Sequence, residues 1–261
     1  MFLSFDLPLA LGGLLAGTIV GLTGMGGGAV LTPLLVLAFG IDPVSAVSND
    51  LLVSLAIKPF GAGVHFRHGT VRWDIVTWLA VGSVPGAFAG AVLFDIVMGP
   101  RSGTLVRAVL GGALLAAASG MVVRMVMARR SSTSVGPVEP SPVRRVPTVA
   151  IGLFVGVLVG LTSIGSGSLA IVLLLFTYPR LSMAELVGTD LAQAVPLVAS
   201  AALGHVLFGS VHLPLVASLL VGALPGVIIG SRLSARAPDR VMRPAVTGML
   251  FFTGLKLLSI L

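Results

Sequence analysis

Two carboxylates, Asp50 and Asp190, stand inside stretches that are otherwise apolar, each beside a second polar residue, Asn49 or Thr189. An ionisable group in such surroundings is costly to bury and marks a functional site by default. Two chemistries are open to it, and they are compatible. It can bind and release a proton, or it can brace a neighbouring segment by accepting backbone N–H bonds. Two glycine-rich segments stand near these carboxylates. Gly24-Met25-Gly26-Gly27-Gly28 follows Thr23, and Ser163-Ile164-Gly165-Ser166-Gly167-Ser168 follows Thr162; each opens a short apolar helix. The free N–H groups and positive end of such a helix form an anion site without a fixed charge, and nearby hydroxyls add donors. The candidate binding residues are therefore Thr23, Gly24, Gly26, Gly27, Gly28, Thr162, Ser163, Gly165, Ser166 and Gly167, with Ser168 as a further hydroxyl. Close packing of two helix ends, with glycine present only for room, is the competing reading. His65 and His205 each follow their aspartate by 15 residues, which is about 22 Å along a helix, so neither meets the aspartate on its own helix. They are expected at helix ends, hydrogen-bonded at the membrane interface. Asn49, Asp50, Thr189, Asp190, His65 and His205 form the candidate coupling or gating set.

These residues come in pairs because the chain repeats itself. Gly21-Leu22-Thr23-Gly24-Met25-Gly26-Gly27-Gly28 returns as Gly160-Leu161-Thr162-Ser163-Ile164-Gly165-Ser166-Gly167. Asn49-Asp50-Leu51 returns as Thr189-Asp190-Leu191, and His65 as His205. Gly82, Pro85, Gly86 and Gly90 return as Gly222, Pro225, Gly226 and Gly230. So many matches in one order imply a duplication. Residues 1–128 form the first copy and 148–261 the second, joined by a polar linker, 129–147, rich in Ser, Pro and Arg. Pro85 and Pro225 fall in the middle of their helices, where each makes a kink and could serve as a hinge.

The composition places this unit in lipid. The chain is 56% hydrophobic and 10% charged, with a mean hydropathy of +1.10, too few charges to cover a water-facing surface. Met1 to Gly13 lacks the basic start of a signal peptide and is expected to open the first membrane segment. Each copy divides at its Gly and Pro breaks into five apolar elements: 4–22, 29–40, 44–64, 73–95 and 103–127, then 147–161, 168–178, 183–205, 211–231 and 241–260. The second of each set is too short to cross and is expected to be a half-helix ending at the glycine-rich segment. With the linker on the cytoplasmic side, twelve arginines lie inside and two, Arg101 and Arg107, outside, while Lys58 and Lys256 fall within apolar segments. Both termini then face the periplasm, and the second copy is inverted relative to the first. The expected fold is an all-α polytopic membrane protein of two inverted-topology repeats, each with a broken helix hairpin and about three further spanning helices. It is expected in the cell inner membrane as a multi-pass protein.

Several function classes drop out. The formal net charge of +7 is spread between apolar stretches, and Trp73 and Trp78 do not interleave with basic residues, so nucleic acid is not an expected partner. There are no cysteines, and the four histidines form no close pair, so neither a disulfide nor a metal site is expected. No cofactor is expected, and no nucleophile–base cluster points to an enzyme. The expected partners are a small anionic substrate and the lipid bilayer, with a proton as candidate coupling ion and a second copy, as a homodimer, as a further candidate.

The chain resembles the sulfite exporter TauE/SafE family. The resemblance is carried by the Gly-Leu-Thr-Gly-Met-Gly-Gly-Gly stretch with Pro33, by Val187-Gly188-Thr189-Asp190-Leu191, by Gly204-His205 and by Gly222-Ala223-Leu224-Pro225-Gly226. It implies a secondary transporter of sulfur-containing anions such as sulfite or sulfonates, with rocking of the repeats exposing the site alternately. An anion channel of the same fold, a membrane enzyme and a metal-ion transporter are the alternatives. At Asn49-Asp50 and Thr189-Asp190 the chain departs from the family's usual Thr-Ser. Because the chain has no native cysteine, single cysteines report topology cleanly. One placed in the 40–43 turn is expected to react with an impermeant reagent in intact cells, and one in the 129–147 linker only after permeabilisation; the reverse pattern refutes the orientation.

Overall fold

A chain this apolar must satisfy its backbone amides within itself, and a helix does so locally. The computed structural model describes residues 6–23, 27–67, 69–97, 103–130, 142–167 and 169–234, with 247–248, 251–252, 254–256 and 258–259 beyond them. Among these there is no β-strand. The helices are α1 (Leu7–Thr23), α2 (Leu31–Leu37), α3 (Pro43–Arg67), α4 (Trp73–Val97), α5 (Gly103–Arg130), α6 (Arg145–Thr162), α7 (Leu169–Thr177), α8 (Met183–Phe208) and α9 (Leu213–Ser234), with one 3-10 turn at Gly27–Ala29. Four of them, α4, α6, α8 and α9, are long and apolar enough to cross a membrane. A fifth span forms if α1 is joined to Gly27–Leu37, the two parts meeting at 118°. The protein is therefore a multi-pass membrane protein. The short second elements expected in each copy are α2 and α7, of seven and nine residues.

Two boundaries differ from the sequence reading. α5 runs to Arg130 and α6 starts at Arg145, so helix enters both ends of the 129–147 segment. Pro147 does not prevent this, because it sits in the first turn of α6, where a backbone N–H has no helical acceptor. The mid-chain prolines Pro85 and Pro225 lie inside α4 and α9, both of which continue through them.

Glycines decide which helices pair. On α9, Gly222, Gly226 and Gly230 lie against the carbonyls of Ala10, Leu14 and Thr18 on α1, and Gly13 and Gly17 lie against those of Leu219 and Ala223 in return. The same pattern joins α4 to α6: Gly152, Gly156 and Gly160 meet Leu79, Ser83 and Ala87, while Gly82, Gly86 and Gly90 meet Val149, Leu153 and Val157. In each pair the contacts advance together along both chains, so the partners run parallel. Lipid supplies no hydrophobic drive between helices, and association rests on dispersion and Cα–H···O contacts that only close backbones allow. The opposite face of α1 carries Leu7, Leu11 and Leu15, each more than half exposed and spaced to face lipid.

The paired helices flank α3 and α8, which pack on each other; α3 also packs on α9, and α8 on α4. Side chains lock this core at the turns. Asn49 Oδ1 accepts from the His212 N–H at 2.8 Å, and its Nδ2 donates to the Ser210 carbonyl at 3.3 Å, fixing the start of α9. Its counterpart Thr189 accepts from the Arg72 N–H at 3.1 Å, fixing the start of α4. At the other end of α6, the Tyr178 hydroxyl meets Thr148 Oγ1 at 2.6 Å and accepts from the Arg144 N–H at 3.0 Å, tying the α7–α8 turn down. Arg145 lies over the Trp78 ring at 5.0 Å, and Arg72 pairs with Asp74 at 2.6 Å.

The glycine contacts yield a stability test. Gly156→Ala drives a Cβ into the Ser83 backbone and is expected to cost about 1–3 kcal/mol, read as a lower unfolding midpoint in detergent. Gly112→Ala, with nothing within 4 Å of the new carbon, is the control and is expected to be neutral or slightly stabilising.

Candidate functional site

The centre of α3 carries Asp50, Ser54 and Lys58 at successive four-residue steps, which aligns them on one face of the helix. All three are buried. Asp50 Oδ2 accepts from Thr32 Oγ1 at 2.6 Å and Oδ1 from Ser54 Oγ at 3.2 Å. Thr32 lies on α2, so Asp50 pins the half-helix of its own copy with a hydroxyl rather than with backbone amides. Gly27 packs against Ser54 Oγ, with Asp50 Oδ1 3.4 Å from where a Cβ would stand. Gly28 packs against the Ser163 carbonyl, so the two glycine-rich segments touch. A side chain at either glycine would displace one of these neighbours.

The second segment has a different local logic. Ser163 ends α6 in the left-handed conformation at φ 59°, and Gly165 and Gly167 follow at φ 130° and 95°. Gly165 is required by this backbone and not by crowding, since its nearest neighbour would be Val159 Cγ2 at an ordinary 3.5 Å. Thr162 Oγ1 accepts from the Ile164 N–H at 3.1 Å and steadies the turn. Ser166, at its tip, accepts a hydrogen bond from Lys58 Nζ at 2.7 Å. Lys58 is 5% exposed and within electrostatic reach of both Asp190 and Asp50. The ammonium on α3 thus reaches the glycine-rich segment that follows α6.

The remaining candidates separate from this cluster. Asn49 and Thr189 brace the turns described above. His205 stands in the last turn of α8, at a helix end as expected, but its side chain is fully buried in the protein. Its Nε2 donates to the Gly160 carbonyl at 2.8 Å, its Nδ1 meets Ser48 Oγ at 2.8 Å, and its ring lies 5.1 Å from that of Phe94. It joins α8 to α6 and α3. Gly24 and Gly26, Ser168, and the side chains of Thr23 and His65 lie outside the described residues. The residue that the motif reading left out is Lys58. Its signal was present, a lysine inside an apolar stretch two steps of four beyond Asp50, but it has no counterpart in the second copy, and the repeat drew attention to paired residues.

Chemically, a buried ammonium, a hydroxyl and two carboxylates can hold a small anion or pass a proton. Two broken helices meeting around such a cluster inside a lipid-facing bundle define a polytopic membrane protein with an internal polar site. The chain belongs to the sulfite exporter TauE/SafE family, whose model matches residues 9–257. It is similar to Bacillus subtilis (strain 168) "Probable membrane transporter protein YjnA", 37% identical over 255 residues, covering 97% of this chain and all of the relative. It is also similar to "Probable membrane transporter protein YdhB" of the same organism, 27% identical over 242 residues, covering 90% of this chain and 96% of that protein. No solved structure matches the chain.

The contact of Gly27 with Ser54 separates packing from ligand approach. Gly27→Ala is expected to cost about 1–3 kcal/mol by overpacking, and adding Ser54→Ala, which removes the opposing hydroxyl, is expected to recover most of it in the same melting assay. No recovery would mean that Gly27 answers to something other than Ser54.

Proposed function

We propose that this chain is a secondary transporter that moves a small sulfur-containing anion, such as sulfite or a sulfonate, across the cytoplasmic membrane by alternating access. The family description and the names of both relatives support transport. The observation that carries the reading is the contact of the two broken segments, Gly28 against Ser163, beside the buried polar cluster. Irregular backbone at membrane depth is tolerated where it lines a site, and transporters built from inverted repeats bind their substrates at such places. The parallel pairing of α1 with α9 and of α4 with α6 supports inversion. The arginine distribution starts α1 and α9 on the periplasmic side and α4 and α6 on the cytoplasmic side, as parallel partners require.

The same pairing supports a choice of moving parts. Each copy lends its fourth helix to the other, so the bodies are α1–α3 with α9, and α6–α8 with α4. They part along the α3–α8 seam, crossed by Ser48–His205, Lys58–Ser166 and Gly28–Ser163. Motion of whole repeats, by contrast, would tear both glycine seams. A charge count supports a proton as the coupling ion. Among the described residues one lysine stands within electrostatic reach of two aspartates, so an arriving anion adds negative charge to a low-dielectric setting unless a proton accompanies it.

Flux in proteoliposomes tests the reading, with a panel of sulfite, sulfate, thiosulfate and small sulfonates. At least one anion is expected to show saturable uptake, counterflow and accumulation driven by a pH gradient. Flux without saturation or counterflow favours an anion channel. A Cβ at Gly209 would stand 3.0 Å from Ser48 Oγ, about the carbon-to-sulfur span across a disulfide. Oxidising the variant Ser48→Cys/Gly209→Cys is expected to stop flux and reduction to restore it. Undiminished flux in the oxidised form overturns motion along this seam.

A further inference from the structure

Resting on the transporter reading, we propose that Lys58 is the anion-binding residue, its ammonium and the Ser166 hydroxyl forming the donor seat for a single sulfur oxyanion head. The first ground is asymmetry. Both copies carry the aspartate, but the counterpart of Lys58 is Val198, which is fully buried and apolar. The repeated architecture therefore does not need a cation at this place, and the one that stands there is an addition to one copy. An unneeded buried charge is kept at a cost, which a ligand of opposite charge explains.

The second ground is the supply of donors. An ammonium has three N–H groups, and Ser166 takes one of them. Ser166 uses a lone pair for that bond, so its own hydrogen remains to be donated, and no acceptor for it is found among the described residues. The two donors stand side by side, and Ser166 is flanked by Gly165 and Gly167, both at positive φ and without side chains. Asp50 receives two hydroxyl donors, from Thr32 and Ser54, and among the described residues no hydrogen bond joins it to the ammonium. A further buried polar group lies one turn from Asp190. Gln193, one turn past Asp190 on the same face of α8, is buried with its Oε1 unpartnered. Its amide can turn to offer an N–H to an oxyanion. Lysine also suits the task better than arginine: a compact charge on a flexible stem can take one oxygen and release it, where a bidentate fork would hold.

Binding and flux are measured separately, by calorimetric titration of the purified protein in detergent with sulfite and a small sulfonate, and by uptake of the same anions in proteoliposomes. Lys58→Gln is expected to weaken binding and raise KM by about tenfold or more, as loss of a charge-assisted hydrogen bond does, and Lys58→Arg to keep part of both. Lys58→Met, apolar and of similar length, serves where the glutamine variant does not fold. The decisive variant is Lys58→Gln/Asp190→Asn. If Lys58 only balances the carboxylates, removing one of them restores binding; if it binds the anion, the double variant stays weak. Wild-type affinity in Lys58→Gln or Lys58→Met, or rescue in the double variant, overturns the proposal. Wild-type binding without flux would sink the transporter reading and leave the Lys58 seat standing, whereas absence of both sinks the two together.

Discussion

A carbonyl on one helix resting against a glycine on the next, with no side chain between, is the contact on which this fold depends. In lipid it is among the few sources of helix affinity, and here it recurs along two seams, α1 with α9 and α4 with α6. These seams fix where the flanking helices stand. The flanking helices leave a central place for α3 and α8, the two that carry the aspartates. The lipid-facing sides can then be almost featureless, as the leucines at 7, 11 and 15 are. Specificity of assembly thus comes from what is absent, the side chains at eleven glycines, and little of it from polar contacts within the seams.

The polar chemistry is concentrated along the α3–α8 seam. Ser48 with His205, Asp50 with Thr32 and Ser54, and Lys58 with Ser166 each satisfy groups that would otherwise be costly in a low-dielectric interior. Their placement makes α3 less apolar than its length alone would suggest, and it is not among the four helices apolar enough to span. That weakness and the site have one cause: a helix that faces a polar interior on one side cannot be apolar all round.

Much of this was legible in the sequence. The helix boundaries follow from Gly and Pro punctuation, the half-helices α2 and α7 from their length, and the family from the motifs at Gly21–Gly28 and Val187–Leu191. The partner of each helix was not legible. Gly82, Gly86 and Gly90 announce a face that wants a close neighbour, yet nothing in their spacing says that the neighbour is α6 and not the preceding helix. The roles of Asn49, Thr189 and His205 were hidden for the same reason, since they act on His212, Arg72 and Ser48, each more than a hundred positions away. Lys58 went unread because a duplication makes matched residues conspicuous and unmatched ones ordinary.

The α1–α9 seam also has a consequence for how the chain is made. α4 meets α6 soon after both have left the ribosome, but α1 waits for α9 until most of the protein has been synthesised. At about 5–20 residues per second, that delay is on the order of ten seconds or more. Through it, Gly13 and Gly17 present an open groove to the bilayer, which lipid, the insertion machinery or another nascent copy must cover. α1, made long before α9, is thus among the last of the described helices to find its place, and a chain truncated before Leu213 lacks the native partner of its glycine face. Quality control that senses an unfilled glycine groove would read the arrival of α9 from α1.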